Sequence, residues 1–325
     1  TLSPTPPAQN DSRFYPVNLP HDWLIANSAD HYENSEGWYQ KIISSDILPF
    51  DASSDDDWLL YFEGVYMDCT IFVNGMQAGE WKYGYSSFEV RLTPFLKTGE
   101  NTILVKTDNS QQPDSRWYSG AGIYRPVWLH IQPKDHIAIE GIRVKTVSID
   151  PTVMEVSVER TAGKVQVEII DAEGKQAATA LLEKDSVQIP LPKAHLWSEE
   201  TPYLYGIRAS LLGADSSILD QAKDTFGVRL ITWSPKGFFV NGKETLLRGG
   251  CIHHDNGVLG ACTYDESEMR RIRILKENGY NAIRCAHNPC SKALLRACDA
   301  LGVYIMDETW DMWYSHKSKY DYATE

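Results

Sequence analysis

The hydrophobic pattern of this 325-residue chain changes once, after Phe238, and that change restricts the folds open to it. Before Phe238, short runs rich in β-branched and aromatic residues alternate between apolar and polar positions, which is typical of β-strands. Beyond it, runs with helical spacing alternate with short apolar runs. We therefore predict a multidomain protein in which two all-β sandwiches precede a segment of alternating strands and helices.

Residues 1–133 are predicted to form a jelly-roll sandwich. The runs DDDWLLYFEGV, DCTIFVNGMQAGEW, SSFEVRLTPFL and ENTILVKTDN are short and regularly spaced, and Asn74-Gly75 is a strong signal for a tight hairpin. Many of the chain's 10 tryptophans and 17 tyrosines fall here, and such large flat side chains suit the faces of a sandwich. We expect the first ten residues to be a disordered arm or linker.

Residues 134–230 are predicted to form a second, immunoglobulin-like β-sandwich. The runs IRVKTVSI, MEVSVER, KVQVEIID, YLYGIRASLL and DTFGVRLITW follow one another along this range. Its length of about 100 residues and a strand recurrence of about 8–12 residues are what such a sandwich needs. The range contains no cysteine, so this would be a disulfide-free version.

Residues 231–325 are predicted to alternate between strands and helices. The strands are ETLLRGGCIHH, YNAIRC and VYIMDE, and the helices are YDESEMRRIRILKENG and CSKALLRACDALG. We expect Asp265 to cap the first helix, and Gly279 and Gly302 to end the two helices. The crossovers are long enough for parallel pairing, and the weak alternation within the strands fits a sheet buried on both faces.

Composition argues against several classes of function. The chain has 31 basic and 44 acidic residues, a formal charge of -13, and no basic block, which argues against nucleic acid as a partner. No apolar run reaches the roughly 18 residues of a membrane span, and the start lacks signal-peptide features, although it fits what remains after removal of one. Five of the six cysteines fall in the last quarter, which favours reduced, buried thiols over a disulfide framework.

Polar side chains cluster where the three predicted strands of the last segment end. They are His253, His254 and Asp255 after the first strand, Arg284 and His287 after the second, and Asp307 and Glu308 at the third. In a parallel α/β barrel, functional groups lie at the carboxyl ends of the strands. Two histidine-bearing loops at successive strand ends favour a functional site over purely structural roles. Pro289 is predicted to lie in the first turn of the following helix.

Three alternatives stay open at this point. Arg284 would neutralise Asp307 or Glu308, a role compatible with contacting a substrate. Trp310 and Trp313 would either stack on a sugar or fill the wall of a barrel. A zinc centre is the rival interpretation, although the absence of a CxxC pair and of HExxH argues against it. Its candidate ligands are Cys251, His253, Cys285, His287 and Cys290.

The sequence resembles glycoside hydrolase family 2, the family of β-galactosidases, β-glucuronidases and β-mannosidases. RGGCIHHDNGVLGA, YNAIRCAHNPCS and LGVYIMDETWDMW look like the first βα units of its catalytic (β/α)8 barrel. LPHDW, GWYQKI, FEGVYMDCTIFVNG and SRWYSGAGIYRPVWL resemble its N-terminal jelly roll, and FGVRLITW resembles the end of its immunoglobulin-like domain. The resemblance covers nearly the whole chain in the same order.

The resemblance implies roles for individual residues. His253 matches the histidine after the first barrel strand that contacts the sugar, and His287 matches the histidine of an R-x-x-H stretch lining the same subsite. Arg284 opens that stretch and would orient nearby carboxylates. Glu308 lies in a D-E pair whose glutamate helps to bind magnesium in some members. No cofactor is otherwise implied, and magnesium is left open.

In the predicted jelly roll, this sequence departs from the family pattern at one position. Several members carry a sugar-contacting acidic residue nine positions before the arginine of the GIYR-like stretch. Counting back from Arg125 gives Arg116, with Asp114 nearby. Either Asp114 reaches the sugar through a shifted loop or the subsite differs, so Asp114 and Arg116 are both candidate substrate contacts.

The resemblance implies a retaining hydrolase for terminal β-galactosides that uses two glutamates. We expect both glutamates to lie beyond Glu325 and this chain to be inactive alone. The alternative is a non-catalytic carbohydrate-binding protein. With either function, the expected partner is carbohydrate rather than nucleic acid or membrane. The oligomeric state is left open. A periplasmic or secreted location is preferred to the cytoplasm.

Overall fold

The computed structural model describes residues 7, 11–26, 29, 33–44, 50–51, 53–312 and 314–323. Apart from Pro7, the predicted N-terminal arm lies outside the described residues, as does Trp313. Within the described part, no helix is long and apolar enough to cross a membrane.

The N-terminal sandwich packs two antiparallel sheets against each other. Its strands are β1 (Glu36–Ile43), β2 (Asp57–Phe62), β3 (Cys69–Val73), β4 (Met76–Trp81), β5 (Phe88–Arg91), β6 (Asn101–Asp108) and β7 (Val127–Gln132). The strand orders are β1-β6-β3-β4 and β5-β2-β7. Alternate residues of β3 and β6 point inward, as the period-two pattern predicts, and join a core that includes Phe62, Ile71 and Phe88.

Asn74-Gly75 connects β3 and β4 as predicted. Val73 pairs with Met76 across a two-residue turn, and both turn residues have positive φ, 51° for Asn74 and 83° for Gly75. A turn of this hand matches the twist of the two strands, and asparagine and glycine tolerate it best.

The second sandwich is also antiparallel and disulfide-free. Its strands are β8 (Ile137–Ile149), β9 (Thr152–Arg160), β10 (Lys164–Ile170), β11 (Gln176–Leu182), β12 (Ser186–Pro190), β13 (Tyr205–Leu212) and β14 (Ile218–Phe226). They form sheets of order β12-β9-β8 and β11-β10-β13-β14. Inward-facing residues of both sheets, among them Val156, Val167 and Ile207, fill a shared apolar core.

The last segment begins with a small antiparallel sheet and continues as a parallel one. The antiparallel strands are β15 (Ile231–Ser234), β16 (Gly237–Val240) and β17 (Lys243–Glu244). The parallel part runs β18 (Gly249–Ile252), α1 (Asp265–Glu277), β19 (Ala282–Cys285), α2 (Lys292–Leu301) and β20 (Tyr304–Asp307). The parallel order β18-β19-β20 confirms the predicted alternation of strands and helices.

The helix ends correct two predictions. Asp265 is the first helical residue, and the N-cap is Tyr264, without a side-chain capping bond. Pro289 lies before α2, because the helix starts at Lys292 and its cap is the Ser291 hydroxyl, which accepts from Leu294 N. In α1, Asp265 adds negative charge to the first turn, where the helix dipole favours it.

The C-terminal ends of both helices agree with the prediction. Gly302 caps α2 at a φ of 74°, and Gly279 follows α1 at 84°. All six cysteines are free thiols, as predicted, but the expectation that they are buried is wrong for Cys251, which is exposed.

A buried carboxylate ties the jelly roll to the barrel segment. Asp22 is 1% exposed and accepts four hydrogen bonds. Two come from Leu24 N and Ala121 N, a third from Tyr118 Oη at 2.6 Å, and the fourth from Ala261 N of the barrel segment at 2.9 Å. This contact holds the jelly roll against the edge of the parallel sheet where the candidate residues lie.

Candidate active site

The parallel sheet brings the predicted residues to one edge. His253 follows β18, His287 follows β19, and Glu308 follows β20. Because the three strands are parallel, their carboxyl ends share that edge. The ring centroids of His253 and His287 are 5.6 Å apart. The predicted grouping at the strand ends is present, and we call this edge the rim.

The jelly roll contributes an aromatic side chain to the rim. Trp117 stacks on His253, with ring centroids 5.3 Å apart at an interplanar angle of 21°. Its centroid is 5.0 Å from that of His287. Its Nε1 donates to Tyr85 Oη at 3.0 Å, which fixes the plane of the indole. Trp117 therefore sets how the two imidazoles face each other.

Arg284 pairs with Glu308 across neighbouring strands. Arg284 Nε and Nη2 lie 2.8 and 2.7 Å from Glu308 Oε1. Glu308 Oε2 is 3.4 Å from His287 Nδ1. Of the two carboxylates proposed as partners of Arg284, the structure selects Glu308. The ion pair therefore orients the Glu308 carboxylate toward His287, which is the role that the resemblance implies for Arg284.

Arg116 and Asp311 form a second ion pair between domains. Arg116 Nη2 donates to both oxygens of Asp311, and Lys317 Nζ lies 2.9 Å from Asp311 Oδ1. Burial pushes the pKa of Asp311 up, but hydrogen bonds from Lys317 and Arg116 outweigh it and leave that pKa below its usual value. Asp311 Oδ1 is also 3.6 Å from His287 Nδ1. Asp311 is therefore anionic at neutral pH.

The two adjacent histidines have different surroundings. His254 is buried, and its Nε2 donates to Ser119 O of the jelly roll at 2.8 Å. Burial lowers its pKa to about 3. His253 is only partly buried at the rim, and burial followed by the nearby His287 lowers its pKa. Both imidazoles are thus neutral at pH 7, His254 as an interface residue and His253 as a rim residue.

Asp114 does not reach the rim in this structure. It is 1% exposed, and its Oδ2 accepts from Tyr66 Oη at 2.6 Å. Burial raises the pKa of this carboxyl. Contact between Asp114 and a sugar would require the loop to move, whereas Arg116 is half exposed. Sugar contacts by Asp114, Arg116, His253, Arg284 and His287 all stay predictions.

An open groove lies on the jelly-roll side of the rim. It has a volume of about 540 Å³ and is lined by Arg116 and Trp117 together with amide side chains such as Asn34, Asn109 and Gln112. Aromatic faces beside amides and a guanidinium are common in carbohydrate grooves because they combine apolar and hydrogen-bonding contacts.

Trp310 fills a wall rather than standing free. Its ring centroid is 4.8 Å from that of Tyr83 and 4.8 Å from that of Tyr322. Of its two predicted alternatives, packing is the one this arrangement favours.

The described residues do not assemble the proposed zinc ligand set. Instead, the one group of three ligating side chains found among them is Cys285, Cys290 and Asp307. The Arg284 guanidinium contacts Glu308 Oε1 and would repel a cation, so this ion pair argues against a magnesium site at Glu308. Magnesium binding by Glu308 stays a prediction.

Comparison with known proteins agrees with this architecture. The model of the sugar binding domain of glycosyl hydrolases family 2 matches residues 9–133, a second family 2 model matches 128–229, and the model of the TIM barrel domain matches 231–321. The chain belongs to glycosyl hydrolase family 2. The predicted fold class, with two sandwiches followed by the first βα units of a barrel, is confirmed.

Family 2 relatives carry two different activities in their names. The chain is 37% identical to the β-galactosidase BoGH2A of Bacteroides ovatus, over 97% of this chain and 40% of that protein. It is 32% identical to a putative β-glucuronidase of Formosa agariphila, over 97% of this chain and 32% of that protein. The structure of a β-glycosidase from Bacteroides vulgatus matches with a TM-score of 0.88 at 32% identity, over 98% of this chain and 43% of that one.

The family 2 chain thus spans less than half the length of these relatives.

Two rim residues, Trp117 and Asp311, were not predicted from the sequence. Trp117 lies in SRWYSGAGIYR, which was used only for the resemblance, and Asp311 lies four residues past the third strand. No local pattern reveals either residue, since Asp311 pairs with Arg116 of the jelly roll and Trp117 packs against His253 and His287 of the barrel segment.

Proposed function

We propose that this family 2 chain forms the sugar-holding part of a retaining β-glycosidase that acts on terminal β-galactosides. The observation that carries the proposal is the rim, where Trp117 of the jelly roll packs against His253 and His287 of the barrel segment. A sugar bound there would meet two imidazoles and two oriented ion pairs. The β-galactosidase from B. ovatus, 37% identical, supports this choice of sugar.

The described carboxylates of the rim suit positioning better than bond cleavage. A retaining pair needs an acid whose pKa is raised toward neutrality and a nucleophile about 5–5.5 Å away. Asp311 has a lowered pKa, and Glu308 is held by Arg284. We therefore propose that the acid/base and the nucleophile are not among these residues, and that the 325-residue chain does not hydrolyse glycosides alone.

Within this proposal each rim residue acts through geometry. Arg284 orients Glu308, and Arg116 orients Asp311, so that both carboxylates face His287. His287 and His253 would hydrogen-bond sugar hydroxyls through their ring nitrogens. Such fixed groups favour one orientation of the sugar ring relative to the catalytic carboxylates. No cofactor has a role in these steps.

The test is release of nitrophenol from p-nitrophenyl β-D-galactoside, with the β-D-glucuronide in parallel. It compares this chain with an extended protein that carries further barrel strands. We expect turnover of the galactoside by the extended protein only. Turnover by the 325-residue chain would show that the catalytic carboxylates lie within it. A preference for the glucuronide would overturn the choice of sugar, and saturable galactoside binding by an extended protein without turnover would favour a carbohydrate-binding protein.

A further inference from the structure

Two thiols and a carboxylate meet at the ends of two neighbouring strands. Cys285 is the last residue of β19 and pairs in register with Asp307, the last residue of β20. Cys290 returns to the same place from the loop before α2. The two sulfur atoms and a carboxylate oxygen all lie within 4.8 Å of one another. No step of the proposed glycosidase function uses these groups.

We propose that Cys285, Cys290 and Asp307 bind one zinc ion that holds the loop carrying His287. Zinc in proteins is bound by cysteine sulfur, histidine nitrogen and carboxylate oxygen, usually in a tetrahedron. Ligand atoms of such a tetrahedron lie roughly 3.3–3.8 Å apart by the usual bond lengths, so a small contraction of the present arrangement suffices.

The surroundings hold the ligands in place. Cys290 N donates to Asp307 Oδ1 at 3.1 Å, which fixes the carboxylate beside the loop. Arg125 Nη2 donates to Pro289 O at 2.9 Å and anchors the residue just before Cys290. Such hydrogen bonds to ligands and their neighbours orient metal sites and account for much of their affinity.

The charges balance when a divalent ion is bound. Two thiolates and a carboxylate would exceed the charge of zinc by one, and the Arg125 guanidinium, which is 2% exposed, supplies the compensating positive charge. Because zinc binds cysteine as thiolate, binding must displace the thiol protons, and affinity should increase with pH.

A fourth ligand position is available next to the sulfurs. A cavity of about 10 Å³ borders Cys285 and Cys290, and a space of that size accommodates about one water molecule. A bound water would complete the tetrahedron.

The consequence concerns the loop of residues 286–289. It begins at Cys285 and ends at Cys290, so a metal bound by both cysteines closes it at its base. The loop carries His287, which contacts Trp117 and faces both rim carboxylates. A zinc ion here would be a structural ion that positions His287, not a catalytic one.

The experiment uses the 325-residue chain, purified with a non-thiol reductant and stripped of metal. Zinc is titrated by calorimetry, and cadmium is titrated while thiolate-to-metal charge-transfer absorption is recorded. We expect one ion per chain, a charge-transfer band consistent with two thiolates, and tighter binding at higher pH. Binding by Cys290→Ser and by Asp307→Asn should weaken at least about tenfold. Asp307 is exposed, so its variant should fold normally.

Cys251→Ser is the matched control, because Cys251 is an exposed thiol on the adjacent strand and should leave binding unchanged. Equal binding by the wild-type chain and Cys290→Ser would overturn the proposal, as would no saturable binding. A Cys285–Cys290 disulfide that persists in the metal-free preparation despite the reductant would also overturn it. None of these results depends on glycosidase activity, so failure of this site is distinguishable from failure of the proposed function.

Discussion

Arg116 of the jelly roll and Asp311 of the barrel segment form an ion pair in which one guanidinium nitrogen, Nη2, donates to both carboxylate oxygens, at 2.9 and 2.8 Å. The Asp311 side chain is 3% exposed, whereas that of Arg116 is 49% exposed. A carboxylate this deeply buried is costly unless it is paired. The pair therefore couples the position of the jelly-roll loop, including Trp117, to the rim.

Arg116→Gln should destabilise the chain through this pair. Asp311 would keep Lys317 as a partner, so the expected loss is about 1–2 kcal/mol in the free energy of unfolding, less than for an unpaired buried charge. Urea denaturation at pH 7 measures it. Arg143→Gln is the control, because Arg143 and Glu159 form an exposed pair worth at most about 0.5 kcal/mol. Equal losses for the two variants would contradict the prediction.

Asp22→Asn should weaken the contact between the jelly roll and the barrel segment. All four groups that bond the Asp22 carboxylate are donors, and an asparagine amide would turn its own NH2 toward some of them. Leaving buried donors unsatisfied costs about 1–3 kcal/mol for each group. We expect a lower midpoint in thermal unfolding and faster cleavage in limited proteolysis. A midpoint within about 1 °C of that of the wild type would show that Asp22 is not the link described here.

The fold was largely predictable because its signals are local. Alternating β patterns, the Asn74-Gly75 turn and the glycines after the two helices each act over a few residues, and the structure reproduces them. The helix starts were less accurate. Asp265 is helical rather than a cap, because the backbone of Tyr264 already has the extended conformation of an N-cap.

The site was predictable only in its barrel half. His253, His287 and Glu308 follow strand ends as predicted, and parallel pairing is enough to bring them together. Arg284 was expected after the second strand but is the penultimate residue of β19. Trp117 reaches the rim through packing between domains, which no spacing in the sequence encodes. Asp114 was a candidate for sugar contact through a shifted loop, and the fold buries it against Tyr66.

The stability of the chain should fall between pH 7 and pH 5 in a way that depends on His254. Its folded-state pKa of about 3 lies below the usual value of 6.5, so the unfolded chain binds the proton first. The contribution of neutral His254 to the free energy of unfolding is complete above about pH 6.5. It is lost progressively as the pH falls toward 3, and the loss reaches roughly 2 kcal/mol by pH 5. Urea denaturation at both pH values tests this. His254→Gln should lose correspondingly less over the same interval, and an identical loss would assign the effect to other groups.

Trp117→Ala should disturb the rim without unfolding the chain. Removing the indole takes away the surface on which His253 stacks and the ring beside His287, so both imidazoles should reorient. In the 325-residue chain, the ring-proton resonances of these histidines should shift as the ring current disappears.

In an extended, active protein, kcat/KM of the Trp117→Ala variant for a β-galactoside should fall about 10–100-fold, since small misplacements of binding groups cost about that much. Trp117→Phe should lie in between, because it keeps a ring at the site but loses the bond to Tyr85. Trp128→Phe is the control, as Trp128 is half exposed on the jelly roll and bonds Glu63 away from the rim. Wild-type kcat/KM and unshifted histidine resonances in Trp117→Ala would show that the jelly roll does not organise the rim.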